Sequence, residues 1–402
     1  MSAYGNLLRT PGVGRVIAAQ LTARFPFGML SLAYLLHVER VAHSYGAAGL
    51  VLAASSIGQA IAGPLTSRWM GQWGMRPVLI LTTSVCAVSM AAVAFVLMPV
   101  PLYMLVGFVG GLAVPPVQPA VRTIYPKMVT SGQLTPLFSL DASAQELIWV
   151  AGPVITTFVA TQISTVLAIV IATAFLVVGG IWFIASPEVG RVRIPRSKRA
   201  FGTVLRRPSV LVATFTGFLL IGACAAVEAG VTSAFGDGSP NAGIVLALFA
   251  IGSLGGGLAF GHRPIAPNGL WIRMVIVFVG LVLTTVHPSF WWLCLTLLIA
   301  GGGIAPALAV MFGSVSSTVK FSDTAEAYGW MGTGQLIGAA LGSAVAGFLI
   351  DAHGAVGGLA VGAVTAFVGV LVPLFARRWL PDLRGRDASP IPDTEPVDLP
   401  TT

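Results

Sequence analysis

The chain has 402 residues, of which 56% are apolar and only 9% charged, with a formal net charge of +8. So little polar surface could not cover a soluble globule of this size, whereas lipid demands no polar cover; the composition therefore sets soluble classes aside and points to a membrane protein. The basic excess does not imply nucleic acid, because loops beside a bilayer face anionic membrane lipids, which are the partner it suggests.

Twelve apolar runs follow in chain order: 14–37, 47–66, 77–98, 102–125, 138–160, 164–186, 209–235, 243–261, 270–287, 290–314, 325–350 and 356–377. Most approach the ~20 residues a helix needs to cross ~30 Å of hydrocarbon. The first run is too long for a cleavable leader and continues into a multi-spanning chain, so none is expected. Arg9 and Arg15 precede run one, Arg68 and Arg76 separate two and three, and Arg122 and Lys127 separate four and five. A basic block from Arg191 to Arg207 separates six and seven; Arg263, Arg273 and Lys320 follow in phase, and Arg377, Arg378, Arg384 and Arg386 follow run twelve. Only Arg24 and Arg40 break the alternation. The positive-inside rule then predicts a multi-pass protein of the cytoplasmic (inner) cell membrane with both termini cytoplasmic.

The hydrophilic stretch 187–208 divides the runs six and six. The expected organisation is an N-terminal six-helix bundle over 1–186, a cytoplasmic basic linker over 187–208, a C-terminal bundle over 209–379 and a disordered tail over 380–402, where prolines recur without apolar periodicity. Runs four and ten share a Gly-Gly-x-Ala motif with proline close behind it, at Gly110–Pro116 and Gly302–Pro306, a weak symmetry that marks duplicated transporter bundles. Small residues recur at helical spacing, as at Ala54, Gly58 and Ala62, at Gly252 and Gly256, and at Gly334, Gly338 and Gly342, which predicts close helix packing. Cys86, Cys224 and Cys294 lie in separate apolar runs and read as small hydrophobes. His37, His43, His262, His287 and His353 fall at run ends or loops, where solvated or interfacial histidines are expected, and no metal or other cofactor is assigned.

These residues resemble the major facilitator superfamily, whose members have twelve helices in two six-helix halves. The resemblance covers roughly 10–380. The family's loop after helix two carries Gly, three residues, Asp-Arg, one residue, Gly-Arg and a basic residue; here Ser67-Arg68-Trp69-Met70-Gly71-Gln72-Trp73-Gly74-Met75-Arg76 keeps only Gly74 and Arg76. The missing Asp bears on the charge relay that gates the cytoplasmic face, where Arg68 and Arg76 remain as gating candidates. In run five, Gly152-Pro153 matches part of the family's drug-antiporter pattern, which adds both residues to the gating candidates, but Thr156-Thr157 stands where a glycine pair would follow. The resemblance implies an efflux-type member, with runs one, four, seven and ten lining a central cavity.

Charges at membrane depth are costly and each needs a reason. Arg24 and Glu146 lie at a common depth of roughly 12–15 Å from the cytoplasmic end, by 1.5 Å per residue, and are expected to pair. Gln20, Arg24, Gly28 and Ser31 form a polar stripe on run one, and Gln118 and Trp149 lie on similar stripes of runs four and five. Gln20, Arg24, Gln118 and Trp149 are the substrate-binding candidates, with Phe25, Phe27 and Trp330 as further aromatic lining. Glu228, towards the outer end of run seven and without a cation at its depth in its own half, joins Glu146 as a proton-coupling candidate. Asp141, Asp323 and Glu326 fall near the inner ends of runs five and eleven, where helix caps or gate contacts are expected.

The expected function is secondary transport by alternating access: proton-coupled efflux of a small amphipathic or drug-like molecule by a monomer, with import of a metabolite or a non-transporting sensor as the alternatives. Neither an Asp-Asp-x-x-Asp face nor a His-Glu-x-x-His helix occurs, so an enzyme is not expected.

Overall fold

The computed structural model describes residues 3–197, 199–236, 240–261, 263–386 and 388–393. His262 and the end of the expected tail, 394–402, lie outside the described residues. Twelve apolar helices form the body: α1 (Val13–Ala42), α2 (Tyr45–Trp73), α3 (Met75–Phe95), α4 (Val100–Lys127), α5 (Gly132–Gln162), α6 (Thr165–Ala185), α7 (Pro208–Phe235), α8 (Asn241–Phe260), α9 (Gly269–Thr284), α10 (Phe290–Thr318), α11 (Phe321–His353) and α12 (Ala355–Phe375). Among the described residues, eleven helices are long and apolar enough to cross a membrane, and α9 is a shorter apolar helix of 16 residues. Helices follow from the solvent, because hydrocarbon offers backbone N–H and C=O groups no partner and each segment must satisfy its own.

Three helices break where the sequence cannot continue them. In α1 a 3-10 turn at Phe25–Gly28, with Pro26 in its first positions, separates Val13–Arg24 from Leu30–Ala42. In α4 the chain leaves the helix after Leu112 and resumes at Val117, because Pro115 and Pro116 carry no backbone N–H. In α10 the break falls at Gly302–Gly303. The motif shared by runs four and ten is thus a shared helix break.

The helices form two six-helix halves with matching contacts. The α2–α4, α1–α5, α1–α6 and α3–α6 packings recur as α8–α10, α7–α11, α7–α12 and α9–α12. The small-residue stripes make these seams. A side chain on Gly152 would collide with the backbone of Gly28, and one on Gly342 with that of Gly222. Without a hydrophobic force between helices in lipid, such close backbone approach is what packing uses instead.

The described ends of the chain and the linker share one face, here called the basic face: Arg15 Nη2 lies 2.6 Å from Glu188 Oε1, and Ile391 pairs with Lys320 at the start of α11. Contacts between the halves run from that face to mid-span. Thr333 Oγ1 donates to Ala60 O at 2.7 Å, and Ser139 Oγ donates to Gly257 O at 2.7 Å. A Cβ on Gly63 would sit 2.9 Å from Gly329 O, so α2 and α11 touch backbone to backbone.

Part of the tail expected to be disordered is described, over 380–386 and 388–393, and there it packs against the body. Leu380, Leu383 and Ala388 are buried, Leu383 N donates to Ile265 O at 2.8 Å, and Ile391 forms a parallel bridge with Lys320. The apolar residues between the prolines are anchors too widely spaced to register as periodicity.

Candidate functional site

Three polar arrangements stand out: a buried ionic network within the N-terminal half, a set of charged contacts across the basic face, and a cavity opening beside α7.

Asp141, fully buried on α5, is the hub of the network. Its Oδ2 accepts from Arg122 Nε at 3.0 Å, and its Oδ1 accepts from Gln20 Nε2 at 3.0 Å and Tyr125 Oη at 3.1 Å. Arg24 Nη1 lies 3.6 Å from Asp141 Oδ1, donates to Gln20 Oε1 at 2.8 Å, and its Nη2 donates to Gln145 Oε1. Two guanidiniums around one carboxylate leave a positive surplus. Neutral acceptors take part of it, and Arg122 Cζ sits 3.4 Å from the centroid of the Phe312 ring, a cation–π contact with α10 of the other half. Tyr125, Phe138, Phe312 and Tyr328 continue that contact as an aromatic cluster between the halves.

The expected Arg24–Glu146 pair does not form. Glu146 accepts from Ser253 Oγ of α8 at 2.9 Å, while Asp141 and Gln145 face Arg24. The reason is azimuth: residues four apart share a helix face, and Glu146, one position on from Gln145, points about 100° away. Asp141 lies ten residues inside a helix that begins at Ser131, so it is not a cap. Gln20 and Arg24, expected to line a cavity, are 0% and 4% exposed with their polar atoms engaged. Gln118 lies beside them: turned towards Arg122 its amide oxygen accepts from Nη1 at 2.6 Å, and turned away its nitrogen reaches Gln145 Oε1 only at 3.4 Å. Trp149 is 52% exposed, Phe25 packs on Phe175, and Trp330 lies against Phe201 of the linker. His37 corrects the histidine expectation: it is buried inside α1, with Nδ1 3.0 Å from Thr165 Oγ1.

Across the basic face, Arg68 Nη1 donates to Glu326 Oε2 at 2.9 Å, joining α2 to α11. The linker enters as a third party. Arg68 Nη2 donates to Arg199 O at 2.5 Å, Gly202 N donates to Glu326 Oε1 at 2.7 Å, and Ser197 Oγ donates to Asp323 Oδ1 at 2.6 Å. Arg199 Nη1 lies 3.6 Å from Asp323 Oδ2, and Phe201 packs between Arg68 and Trp330. The acidic partner missing from the loop after α2 is therefore supplied from the other half by Glu326. Arg76 takes no part: its guanidinium donates to Ile184 O and Ser186 O within the N-terminal half. Gly152 and Pro153 lie at the α1–α5 seam, away from these charges.

Glu228 opens onto a cavity of about 670 Å³ lined by Ala225, Ala229, Thr232, Ser233, Gly236 and Ser343. Among the described residues no cation pairs with it.

Sequence reasoning missed Tyr125, Gln145, Ser253, Phe312 and the linker residues. Gln145 was within reach, since Asp141 and Gln145 repeat the four-residue stripe used for run one; the others are joined by tertiary contacts that periodicity does not report.

A profile described as Major Facilitator Superfamily matches residues 16–267. No curated protein matches the chain. Among solved structures, the fold is similar to a bacterial homologue of the iron transporter ferroportin in an outward-facing state (TM-score 0.73, 11% identity, 91% of this chain and 98% of that one). It is also similar to the proton:xylose symporter XylE (TM-score 0.71, 14% identity, 94% and 97%) and to the human organic anion transporter MFSD10 (TM-score 0.68, 16% identity, 90% and 98%).

Proposed function

The chain belongs to the Major Facilitator Superfamily, and from that premise we propose that it is a proton-coupled exporter of small amphipathic or drug-like molecules working by alternating access. The observation that carries this reading is the combination of a closed basic face with a cavity beside α7, lined by small and hydroxyl side chains and one carboxylate. By the positive-inside rule we read the closed face as cytoplasmic, and the cavity, lined by α7, its end and α11 of the C-terminal half, as open towards the outside. Glu228, Thr232, Ser233 and Ser343 offer hydrogen bonds and one charge to the polar part of an amphipathic ligand, and the small residues Ala225, Ala229 and Gly236 leave room for its apolar part. Glu228 is the proposed proton carrier. Its carboxylate faces the cavity with no cation paired to it among the described residues, so a proton entering from the open side can reach it. Glu146, bonded across the seam to Ser253, is the second candidate, because parting the halves must break that bond.

The carboxylate in the cavity argues against carrying over the organic-anion preference in the name of one structural neighbour. Import is the second reading, favoured by a neighbour that is a proton symporter. Transport in liposomes of defined orientation under an imposed pH gradient decides between them. Efflux requires that an inward-acidic gradient in inside-out vesicles drive substrate into the lumen only as protons leave. Accumulation in right-side-out vesicles with proton entry overturns it.

A further inference from the structure

The start of α11 has no cap of its own. Lys320 occupies the capping position and makes no capping hydrogen bond, as a donor-only side chain cannot accept one from the backbone. A helix opens with four unsatisfied N–H groups. Here two of them are taken by the far end of the chain: Phe321 N donates to Ile391 O at 3.0 Å, and Ser322 N donates to Asp393 Oδ2 at 3.1 Å. Ser322 Oγ adds a bond to Asp393 Oδ1 at 2.6 Å, and Ile391 N returns one to Val319 O at 2.9 Å. Asp323, in the same first turn, cannot serve instead, because its oxygens are engaged by Ser197 and Arg199.

We propose that residues 388–393 act as a cap supplied from a distance, with Asp393 as a positioning residue that holds the first turn of α11 so that Asp323 and Glu326 meet Arg68 and the linker. The carboxylate also places negative charge at the helix N-terminus, where it is favoured. Ser322 and Glu326 are one turn apart and both line a small space, with room for about one water, that Ser67, Arg68, Gly71 and Gln72 complete from α2 and Ser197 from the linker. Fraying of that turn releases Glu326 from Arg68 and loosens the basic face, so the tail sets how firmly the face stays shut. The proposal rests on the reading of this seam as a gate.

The test uses the full chain in lipid nanodiscs with its three cysteines replaced and one introduced by Ser67→Cys, a position 1% exposed at the seam. Its rate of maleimide labelling reports opening. Asp393→Ala should raise the rate about fivefold, the factor that loss of a helix cap implies, and Asp393→Glu should restore it. A chain ending at Arg386 should exceed Asp393→Ala. A parallel chain keeping only Cys86, which is 2% exposed within the N-terminal half, should label at an unchanged rate. Equal acceleration at both cysteines, or none at Ser67→Cys, overturns the proposal. Arg68→Ala separates the two levels: if it too leaves Ser67→Cys labelling unchanged, the gate reading fails, and if it accelerates labelling while Asp393→Ala does not, only the cap fails.

Discussion

The two halves share one set of helix contacts yet treat membrane-depth charge in opposite ways. The N-terminal half folds Arg24, Arg122 and Asp141 into a sealed network in which neutral side chains and a ring absorb the surplus charge. The C-terminal half leaves Glu228 facing open space. The same architecture thus supports a closed ionic anchor in one half and an open, unpaired carboxylate in the other. The halves also differ in what a substitution removes: a partner for buried charge in one, a solvated group in the other.

The largest effect is expected at the hub. Asp141→Ala strands two buried guanidiniums and should cost about 3–5 kcal/mol, seen as a large fall in thermal stability in detergent. Arg24→Ala combined with Asp141→Ala should be less damaging than the sum of the single changes, whereas Arg24→Ala combined with Glu146→Ala should be additive. A non-additive second pair would restore the Arg24–Glu146 contact that the structure replaces. Next comes the seam. Arg68→Ala removes two hydrogen bonds made by a charged donor, each worth roughly 1.5–3 kcal/mol at most, and should shift inter-half distances measured by spin labels towards an opened basic face. Unshifted distances would mean that the glycine contacts close the seam unaided.

On the other side of the comparison, Glu228→Gln should change stability by less than about 0.5 kcal/mol, as for an exposed position, while abolishing accumulation driven by a pH gradient and sparing substrate exchange. Retained gradient-driven accumulation would leave Glu228 as a surface group. The smallest effect belongs to the tail's local pair. Arg384 holds the Asp382 carboxyl down to about 2, below its ordinary value, so whatever this pair contributes is present at neutral pH and lost only as pH falls through about 2. Both groups are exposed, and Asp382→Asn should leave thermal stability unchanged between pH 5 and 8.

Helix positions were legible because hydropathy reports directly on the surrounding solvent. Most run ends agree to within a few residues, and the larger discrepancies have a common cause. Run one was expected to end at 37, but α1 continues to Ala42 through Glu39 and Arg40, and α2 continues through Arg68 to Trp73. Helical hydrogen bonding does not stop where the hydrocarbon does. Site geometry was less legible: depth follows from counting residues, but direction turns by 100° with each one. Gln145 and Glu146 have nearly the same depth, yet one faces Arg24 and the other faces the opposite half. An acidic residue was legible near the start of run eleven. That it answers Arg68 across the seam is a property of the assembled halves.

The approach of Gly63 to Gly329 has a mechanical consequence. Where most contacting surfaces interlock through side chains, parting them means resetting rotamers and losing dispersion contacts one by one. At this point α2 and α11 meet backbone to backbone, and beside it a single hydrogen bond, from Thr333 Oγ1 to Ala60 O, is all that has to be released. It works as a bearing: the halves can roll over it while the charged contacts on one side and the cavity on the other exchange states. A single methyl group on either glycine is then a wedge, jamming the motion without touching a charge.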